Sequence, residues 1–294
     1  MWKYTIKSIK KDLAMNRNID VSVLMSVYNE KPKWLIESIE SIINQTYSKF
    51  EFIIILDNPL NLGLKSIIEN YKLRDDRIKF LINSENKGLV YSLNRGLREA
   101  VGKYILRIDA DDIAMSDRIQ EQINFLNNNN EYSLIGSNYK IINEQGDIIR
   151  DNIRTISNFN LLKVALRYRN IMCHPSYMFV REDILSIGGY REIKFAEDYD
   201  LVLRLIMNGK KITNINKKLL HYRVRKDGIS KSNSIVQKLV SFEIQNSYKK
   251  NIIPNKINFR KKSILGLKVR DYKNKICYKI IEYINLLYLE KRKR

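Results

Sequence analysis

The sequence contains the stretch Tyr104-Ile105-Leu106-Arg107-Ile108-Asp109-Ala110-Asp111-Asp112, in which a short apolar run leads directly into three carboxylates. A run of this length is typical of a buried strand. Because burying an unpaired carboxylate is costly, the acidic groups at its end should be solvated, paired or bound to a cation. Hard divalent cations prefer carboxylate oxygens and usually retain phosphate as a further ligand. The stretch therefore predicts a metal-phosphate site, and a solvated acidic turn is the alternative when it is taken alone.

Strands and helices alternate on the N-terminal side of this stretch. The predicted strands are 21–27, 50–56, 78–82 and 104–108, and the predicted helices are 34–44, 62–73 and 88–100. Such alternation favours right-handed βαβ units and a mostly parallel sheet, in which ligands bind beyond the carboxyl ends of the strands. Three predicted ends carry notable polar residues, namely Tyr28-Asn29, Asp57 and Asp109–Asp112. Their convergence raises the metal-phosphate hypothesis above the acidic turn.

The C-terminal half is less regular. The pattern predicts a helix over 116–129 that Ser116 caps, strands within 132–149 around a turn at Gly146, a strand over 176–180, a helix over 197–207 and basic helices over 235–294.

Composition restricts the class of protein. The chain has 294 residues, of which 44% are hydrophobic, enough for one large α/β domain and an appendage. Cys173 and Cys277 have no metal or redox spacing and fit a reducing cytoplasm. No signal peptide and no apolar run of membrane-spanning length is present, so we expect a cytoplasmic protein.

The net charge of +21 is concentrated towards the C-terminus. Residues 251–294 carry 13 Lys and Arg against 3 Asp and Glu. This distribution indicates a basic appendage on an ordinary domain. Its mixture of apolar and basic residues suits the anionic inner face of a cell membrane, and a helix packed on its own domain is the alternative.

Several common catalytic motifs are absent. The chain has no G-x-G-x-x-G, no P-loop, no H-E-x-x-H and no zinc pattern, and His174 and His221 are its only histidines. A nucleophilic serine would lack its elbow motif.

An ordered set of motifs instead spans residues 20–230. It comprises Val23-Leu-Met-Ser-Val-Tyr-Asn29, Gln45-Thr46-Tyr47, Ile55-Leu56-Asp57, Asn86-Lys-Gly88, Leu93-Asn-Arg-Gly96, Asp109-Ala-Asp-Asp112, His174-Pro175, Gly188-Gly189-Tyr190, Glu197-Asp198, Tyr222-Arg223 and Ile229-Ser230. With these motifs the chain resembles the family 2 glycosyltransferases, in particular the bacterial enzymes that build capsular and other surface polysaccharides. The resemblance implies a GT-A fold, which is a Rossmann-like α/β fold with a mostly parallel central sheet and flanking helices.

The resemblance also implies a division of the chain. The glycosyltransferase domain covers 21–234, with a donor half at 21–112 and an acceptor half at 113–234. It is preceded by a basic segment at 1–20 and followed by a basic helical extension at 235–294.

In the donor half, the resemblance makes Asp111 a metal ligand and Asp109 a contact of the donor ribose or the metal, with Mn²⁺ or Mg²⁺ as cofactor. A divalent cation stabilises a leaving diphosphate as a Lewis acid. Asp112 either supports these ligands or caps the next helix. The remaining implied donor contacts are Val27, Tyr28, Asn29, Arg95 and Ala110.

Asp57 matches the carboxylate that accepts a hydrogen bond from the nucleotide base. This pairing favours UDP, although thymine presents the same edge, and the family more often has a second Asp where Asn58 stands. The alternative for Asp57 is a turn residue before Asn58-Pro59.

In the acceptor half, the resemblance makes Asp198 the catalytic base and Glu197 an acceptor contact, although carboxylates also favour helix starts for their dipole. A base should have a pKa near the working pH, which predicts a partly desolvated cleft at Asp198. His174 shapes the acceptor floor or is a satisfied structural histidine.

Arg225 stands where many relatives have a histidine that contacts the metal or the phosphates. Arginine cannot ligate a metal but clamps phosphate in a bidentate manner, so we expect a diphosphate contact and a looser metal site. His221 falls earlier in the pattern and is expected to pack.

The predicted activity is an inverting, metal-dependent transfer of a hexosyl or N-acetylhexosaminyl group from a nucleotide-sugar to a saccharide or lipid-linked saccharide. A sugar-1-phosphate nucleotidyltransferase is one alternative, but Val27–Glu30 lacks the glycine-rich phosphate loop that it needs. A non-catalytic nucleic-acid-binding or membrane-binding protein is suggested by the charge alone. The terminal position of that charge argues against a nucleic-acid partner.

Overall fold

The computed structural model describes residues 19–151, 153, 155–193, 195–225, 234–253, 274, 276, 277 and 279–281. Most of the two predicted basic segments, 1–20 and 251–294, lies outside these ranges, as do Ile229 and Ser230. Within the described ranges the strands are β1 (Val21–Val27), β2 (Phe50–Leu56), β3 (Ile78–Ile82), β4 (Tyr104–Asp109), β5 (Ile113–Ala114), β6 (Tyr132–Ile142), β7 (Ile148–Arg150), β8 (Met178–Val180) and β9 (Lys211–Arg223). The helices are α1 (Pro32–Ile43), α2 (Leu62–Arg74), α3 (Leu89–Glu99), α4 (Arg118–Asn128), α5 (Phe159–Ala165), α6 (Arg181–Ser186), α7 (Glu197–Met207) and α8 (Ser234–Lys249).

The described strands form one sheet in the order β3-β2-β1-β4-β8-β6-β9-β5, with β7 paired to β6. The first four strands in this order are mutually parallel. Strand β8 is antiparallel to both β4 and β6, and β9 runs parallel to β6. The mostly parallel central sheet with flanking helices is therefore confirmed.

The alternation of side chains along β1 divides the interior into two cores. Val23, Met25 and Val27 pack with α1, α2 and α4 on one face of the sheet. Leu24 packs with α3, α7 and α8 on the other. Because helices cover both faces, all seven residues of β2 are buried, as expected for a central parallel strand.

Some predicted boundaries differ from the structure. Helix α4 begins at Arg118 and its N-cap is Asp117, because the carbonyl of Ser116 accepts a hydrogen bond from the Thr46 N–H at 2.9 Å. The strand predicted from 176 begins at Met178, since His174–Ser176 forms a 3₁₀ turn around Pro175. Among the described helices, none combines the length and the apolar character needed to cross a bilayer.

Strand β9 was not predicted, although it is the longest strand described. Its sequence mixes polar and basic residues, and its middle residues Asn216–Lys218 are exposed. Its pairing with β6 also shifts register more than once, so the two-residue period is broken. Its last residues pair with β5 and thus lie beside the acidic turn that follows β4.

Candidate active site

The strand ends that carry the predicted donor residues lie along one edge of the sheet. Val27 pairs with Leu56, and Ser26 pairs with Asp109, so β1, β2 and β4 end level with one another. Because the strands are parallel, the residues that follow them converge. The predicted convergence of Tyr28, Asp57 and the acidic turn 109–112 is present in the structure.

Each aspartate of the turn 109–112 contacts a different arginine. The Arg107 guanidinium donates to Asp109 Oδ1. The Nε atom of Arg225 lies 3.1 Å from Asp111 Oδ2. The Asp112 carboxylate accepts from the backbone N–H of Arg223 at 2.8 Å. Two of these arginines come from the end of β9 or just beyond it, so a C-terminal segment completes the turn.

The Arg223 side chain contacts the acidic turn 109–112 and the helix α1. Its side chain is fully buried, donates through Nε to the Asp111 carbonyl at 2.7 Å, and pairs through Nη2 with Glu37 at 2.6 Å. The guanidinium also lies 5.6 Å from the centre of the Trp34 ring. The sequence reasoning named Arg223 within a motif but gave it no role. The sequence signal for this role would have been a basic residue at an inward-facing position of a strand.

Burial and mutual repulsion make the acidic turn electrostatically strained. Burial, together with the charge of Asp109, raises the pKa of Asp111 to about 7, and Arg225 opposes the rise. Burial also raises the pKa of Asp112 well above its usual value, with Asp111 and Asp109 adding to it. Burial raises the pKa of Glu30, which the nearby Asp109 also raises and Arg225 lowers. Glu30 is thus a fourth carboxylate of this site, and sequence reasoning missed it.

These residues fit a hard divalent cation. Within the described ranges no group of three or more His, Cys, Asp or Glu is arranged to hold a metal ion. Two carboxylates completed by substrate phosphates are nonetheless the usual arrangement for Mg²⁺. Asp109 and Asp111 could supply that pair, and the buried Asp112 Oδ2 has no hydrogen-bond partner among the described residues. The donor set is all oxygen, as such a cation requires.

Asp57 is buried and holds the loop that leads into α3. Its Oδ1 accepts from Asn83 Nδ2 at 2.6 Å and from the Lys87 N–H at 2.9 Å, and its Oδ2 accepts from the Gly88 N–H at 2.8 Å. A carboxylate has about four acceptor positions, so roughly one remains for a further donor. Gly88 has φ +87°, a left-handed backbone conformation that favours glycine.

The other predicted donor residues lie around this network. Arg95 donates through Nη1 to the Ile82 carbonyl and to Asn83 Oδ1, each at 2.7 Å, so it fixes the end of β3. Tyr28 is 46% exposed at the rim, and the neighbouring Asn29 is also exposed. The two remaining predicted contacts, Val27 and Ala110, are buried.

The second acidic group lies at the start of α7. Asp198 Oδ2 accepts from Asn170 Nδ2 at 2.8 Å, and its Oδ1 accepts from the Tyr199 N–H at 2.7 Å. Burial raises the pKa of Asp198, while these two hydrogen bonds oppose the rise. Burial and the charge of Asp198 raise the pKa of Glu197 to about 7.

Asp198 forms part of the wall of a cleft of about 420 Å³. The other lining residues come from the segment before the 3₁₀ turn, from α7 and from α8, and they include Tyr168, Arg169, Asn170, Phe195, Gln237, Lys238, Phe242 and Gln245. The partly desolvated cleft predicted for Asp198 is therefore present.

Arg107 lies between the two acidic groups. Its side chain is 4% exposed and pairs with Asp109. Its positive charge opposes the rise in pKa that burial causes at Glu197 and at Asp198. Its Nε and Nη1 atoms are buried and have no hydrogen-bond partner within the described ranges. The buried guanidinium thus acts electrostatically on both the acidic turn and the start of α7.

Both histidines lie in packed surroundings. His174 is buried, its Nε2 is 2.9 Å from the Tyr190 hydroxyl, and its ring packs against Tyr177. Burial and the charge of Arg107 hold its pKa well below the usual value. This geometry corresponds to the satisfied structural histidine of the two predicted alternatives. His221 is half-buried on β9 opposite Ile113.

Comparisons with known proteins agree with this architecture. The family description "Glycosyl transferase family 2" matches residues 22–188. A GT-A glycosyltransferase of S. aureus, TarS in complex with UDP-GlcNAc, superimposes with a TM-score of 0.65 at 18% identity, covering 87% of this chain and 71% of that one. A mannosyltransferase from Pyrobaculum calidifontis in complex with GDP-Man and Mn²⁺ gives a TM-score of 0.62 at 15% identity, covering 95% and 81% of the two chains.

The fold and the acidic strand-end site thus define a GT-A glycosyltransferase. An uncharacterized glycosyltransferase of Methanocaldococcus jannaschii is 39% identical over 232 residues, or 79% of this chain and 80% of the relative. The O-antigen biosynthesis glycosyltransferase WbnJ of Escherichia coli is 31% identical over 237 residues, or 80% and 91%. The chain belongs to glycosyl transferase family 2.

Proposed function

We propose that this protein is an inverting, metal-dependent glycosyltransferase that acts in the synthesis of a surface polysaccharide. It transfers a hexosyl or N-acetylhexosaminyl group from a nucleotide-sugar, preferentially a UDP-sugar, to a saccharide or lipid-linked saccharide. The observation that carries the proposal is the placement of the acidic turn 109–112 and the Glu197-Asp198 pair around the buried Arg107. One group of carboxylates serves the donor diphosphate and the other serves the acceptor hydroxyl.

Two similar proteins support the choice of pathway and donor. WbnJ is named for O-antigen biosynthesis. An Escherichia coli protein named as a galactosyltransferase that uses UDP-Gal and a diphosphoundecaprenol-linked acceptor is 30% identical over 208 residues, 70% of this chain and 74% of the relative. The free acceptor position of Asp57 fits the imide N–H of uracil, and the exposed Tyr28 offers a ring for the base to stack on.

The donor side has to bind a diphosphate and stabilise it as it leaves. Asp109 and Asp111 would hold the divalent cation, and Arg225 would contact the diphosphate. When bound, the cation supplies Lewis-acid stabilisation of the leaving diphosphate. Arg107 orients Asp109, because its guanidinium donates directly to that carboxylate.

The acceptor side has to remove one proton. Asp198 accepts the proton of the acceptor hydroxyl while the hydroxyl oxygen bonds to the anomeric carbon from the face opposite the diphosphate. The bond between the anomeric carbon and the diphosphate oxygen breaks, so the anomeric configuration inverts. Asn170 and the Tyr199 N–H orient the Asp198 carboxylate, and burial raises its pKa towards that of an effective base.

Turnover of a panel of UDP-sugars and GDP-sugars with Mn²⁺ tests the proposal. We expect nucleoside diphosphate release that EDTA abolishes, and a product anomer, determined by NMR, opposite to that of the donor. Asp198→Asn should lower kcat by about 10²- to 10⁴-fold, the usual contribution of a general base. The matched control, Glu192→Gln, removes an exposed carboxylate before α7 and should keep normal rates. If Asp198→Asn transferred the sugar at the normal rate, Asp198 would not be the catalytic base.

We also propose that the protein binds the inner face of the cell membrane through its basic C-terminal segment. The support is charge, since residues 251–294 carry 13 Lys and Arg against 3 Asp and Glu. Each basic residue near an anionic surface contributes about 1 kcal/mol. The full chain should therefore float with phosphatidylserine-containing vesicles and remain behind with phosphatidylcholine vesicles. Equal flotation with both would contradict the electrostatic mechanism.

A further inference from the structure

The arginines around the acidic turn differ in how firmly they are held. The Arg107 and Arg223 side chains are 4% and 0% exposed. Arg223 additionally has acceptors on three separate segments, at Glu37, Asp111 and Asn143–Glu144. The Arg225 side chain is 21% exposed, and its partner Asp111 is 13% exposed. Arg225 is therefore the most exposed of the three arginines around this turn.

The contact between Arg225 and Asp111 places a positive charge on the carboxylate that the proposed cation also needs. Arg225 Nε lies 3.1 Å from Asp111 Oδ2, which is hydrogen-bonding distance. A divalent cation bound by the same carboxylate would lie close to the guanidinium, and two positive charges at that separation repel in a partly buried site. The pair and the metal contact therefore oppose each other.

Arg225 has a second support that does not depend on Asp111. Its guanidinium lies 5.8 Å from the centre of the Trp34 ring, within the range of a cation–π contact. The same ring contacts Arg223, which is fixed, so its position is set by the fold. If the ion pair separates, this aromatic contact keeps the guanidinium beside the acidic turn.

We propose that Arg225 is the resident counter-cation of Asp111 and that a divalent cation displaces it. The displaced guanidinium, still held at Trp34, then binds the diphosphate of the donor in the bidentate manner that arginine favours. This inference rests on the proposed function, because it assumes that the same site binds the metal and a nucleotide diphosphate.

The exchange links the two ligands. Arg225 weakens binding of the metal alone and strengthens binding of the diphosphate once the metal is present. Because linkage is reciprocal, metal and nucleoside diphosphate should increase each other's affinity, and part of this coupling should depend on Arg225.

The first experiment measures Mn²⁺ affinity of the full-length protein without nucleotide, from the electron paramagnetic resonance signal of free Mn²⁺. Arg225→Gln removes the competing cation and should bind Mn²⁺ about tenfold more tightly than wild type, which corresponds to about 1.4 kcal/mol. The matched control is Lys31→Gln. Lys31 also lies over the Trp34 ring, at 4.4 Å, but pairs with Glu144 at 2.8 Å, so its loss should change Mn²⁺ affinity less than twofold.

Three results would overturn the exchange. The first is that Arg225→Gln binds Mn²⁺ no more tightly than Lys31→Gln does. The second is that Arg225→Gln binds Mn²⁺ more weakly than wild type does. The third is that none of the three proteins binds Mn²⁺ measurably. Circular dichroism melts of the two variants verify that both are folded.

The second experiment measures UDP binding at saturating Mn²⁺ by calorimetry. Arg225→Gln should bind UDP about tenfold more weakly than wild type, and equal affinities would overturn the diphosphate contact. A different result would contradict the proposed function, namely that wild type releases no nucleoside diphosphate from any of the nucleotide-sugars. The Mn²⁺ titration uses no nucleotide and decides the exchange in either case.

Discussion

Replacing Arg223 with methionine removes a buried guanidinium that contacts three separate segments of the site. Arg223 pairs with Glu37 on α1 at 2.6 Å and donates to the Asp111 carbonyl at 2.7 Å. It also donates to the carbonyls of Asn143 and Glu144 at 3.2 and 3.3 Å. Methionine fills most of the same volume but donates no hydrogen bond.

The expected loss of stability follows from these contacts. Removing one partner of a buried ion pair usually costs about 3–5 kcal/mol. The Glu37 side chain is 28% exposed and can regain water, which favours the lower end of that range. We therefore expect Arg223→Met to lower the free energy of unfolding by about 3 kcal/mol, or Tm by about 6–12 °C for a domain of this size.

Urea unfolding followed by circular dichroism measures this change. Lys65→Met is a suitable control because Lys65 and its partner Glu69 are 37% and 51% exposed, so its effect should stay within about 0.5 kcal/mol. The double variant Glu37→Gln/Arg223→Met should be less destabilised than the sum of the single variants, because each removes the same contact. A loss below about 1 kcal/mol for Arg223→Met would show that the buried guanidinium does not hold the turn.

Two further predictions concern carboxylates. Burial raises the folded-state pKa of Glu197 to about 7 from an ordinary 4.5, so its ionisation should cost stability as the pH rises through that window. Glu197→Gln should therefore be more stable than wild type by about 3 kcal/mol at pH 8 and equally stable near pH 4. A difference that is the same at both pH values, in urea titrations, would contradict this account. Asp57→Asn places an amide N–H against the donors of Asn83, Lys87 and Gly88 and should lower the free energy of unfolding by about 1–3 kcal/mol. The control Asp151→Asn changes an exposed residue and should alter the free energy of unfolding by less than about 0.5 kcal/mol. An equal loss in both variants would show that the hydrogen bonds of Asp57 do not stabilise the loop before α3.

The donor edge of the site could be predicted because its signals are local. Strand β2 is apolar apart from Glu51 and is followed by Asp57, and β4 is apolar apart from Arg107 and leads into the acidic turn. Once alternating strands and helices imply parallel pairing, their carboxyl ends must meet at one edge. The structure shows this level pairing between β1, β2 and β4.

The partners of the carboxylates could not be predicted in the same way. Asp111 pairs with Arg225 and Asp112 with the backbone of Arg223, across a separation that local periodicity does not cover. Both contacts depend on β9, whose polar, register-shifted sequence gave no strand signal. The role of Glu30 was missed for a related reason, since its pKa is raised by burial and is also shifted by Arg225 and Asp109, which are far from it in sequence.

The sequence alone therefore determined the order of strands and helices as far as β4, the acidic residues at the strand ends and, through its motifs, the family. Only the tertiary structure decided which arginine neutralises which aspartate, that Arg107 faces both acidic groups, and that His174 is packed against Tyr190. The physical reason is the distance along the chain over which each property is determined. Apolar periodicity is fixed within a few consecutive residues, whereas the charge and burial of a carboxylate depend on every segment that the fold brings to it.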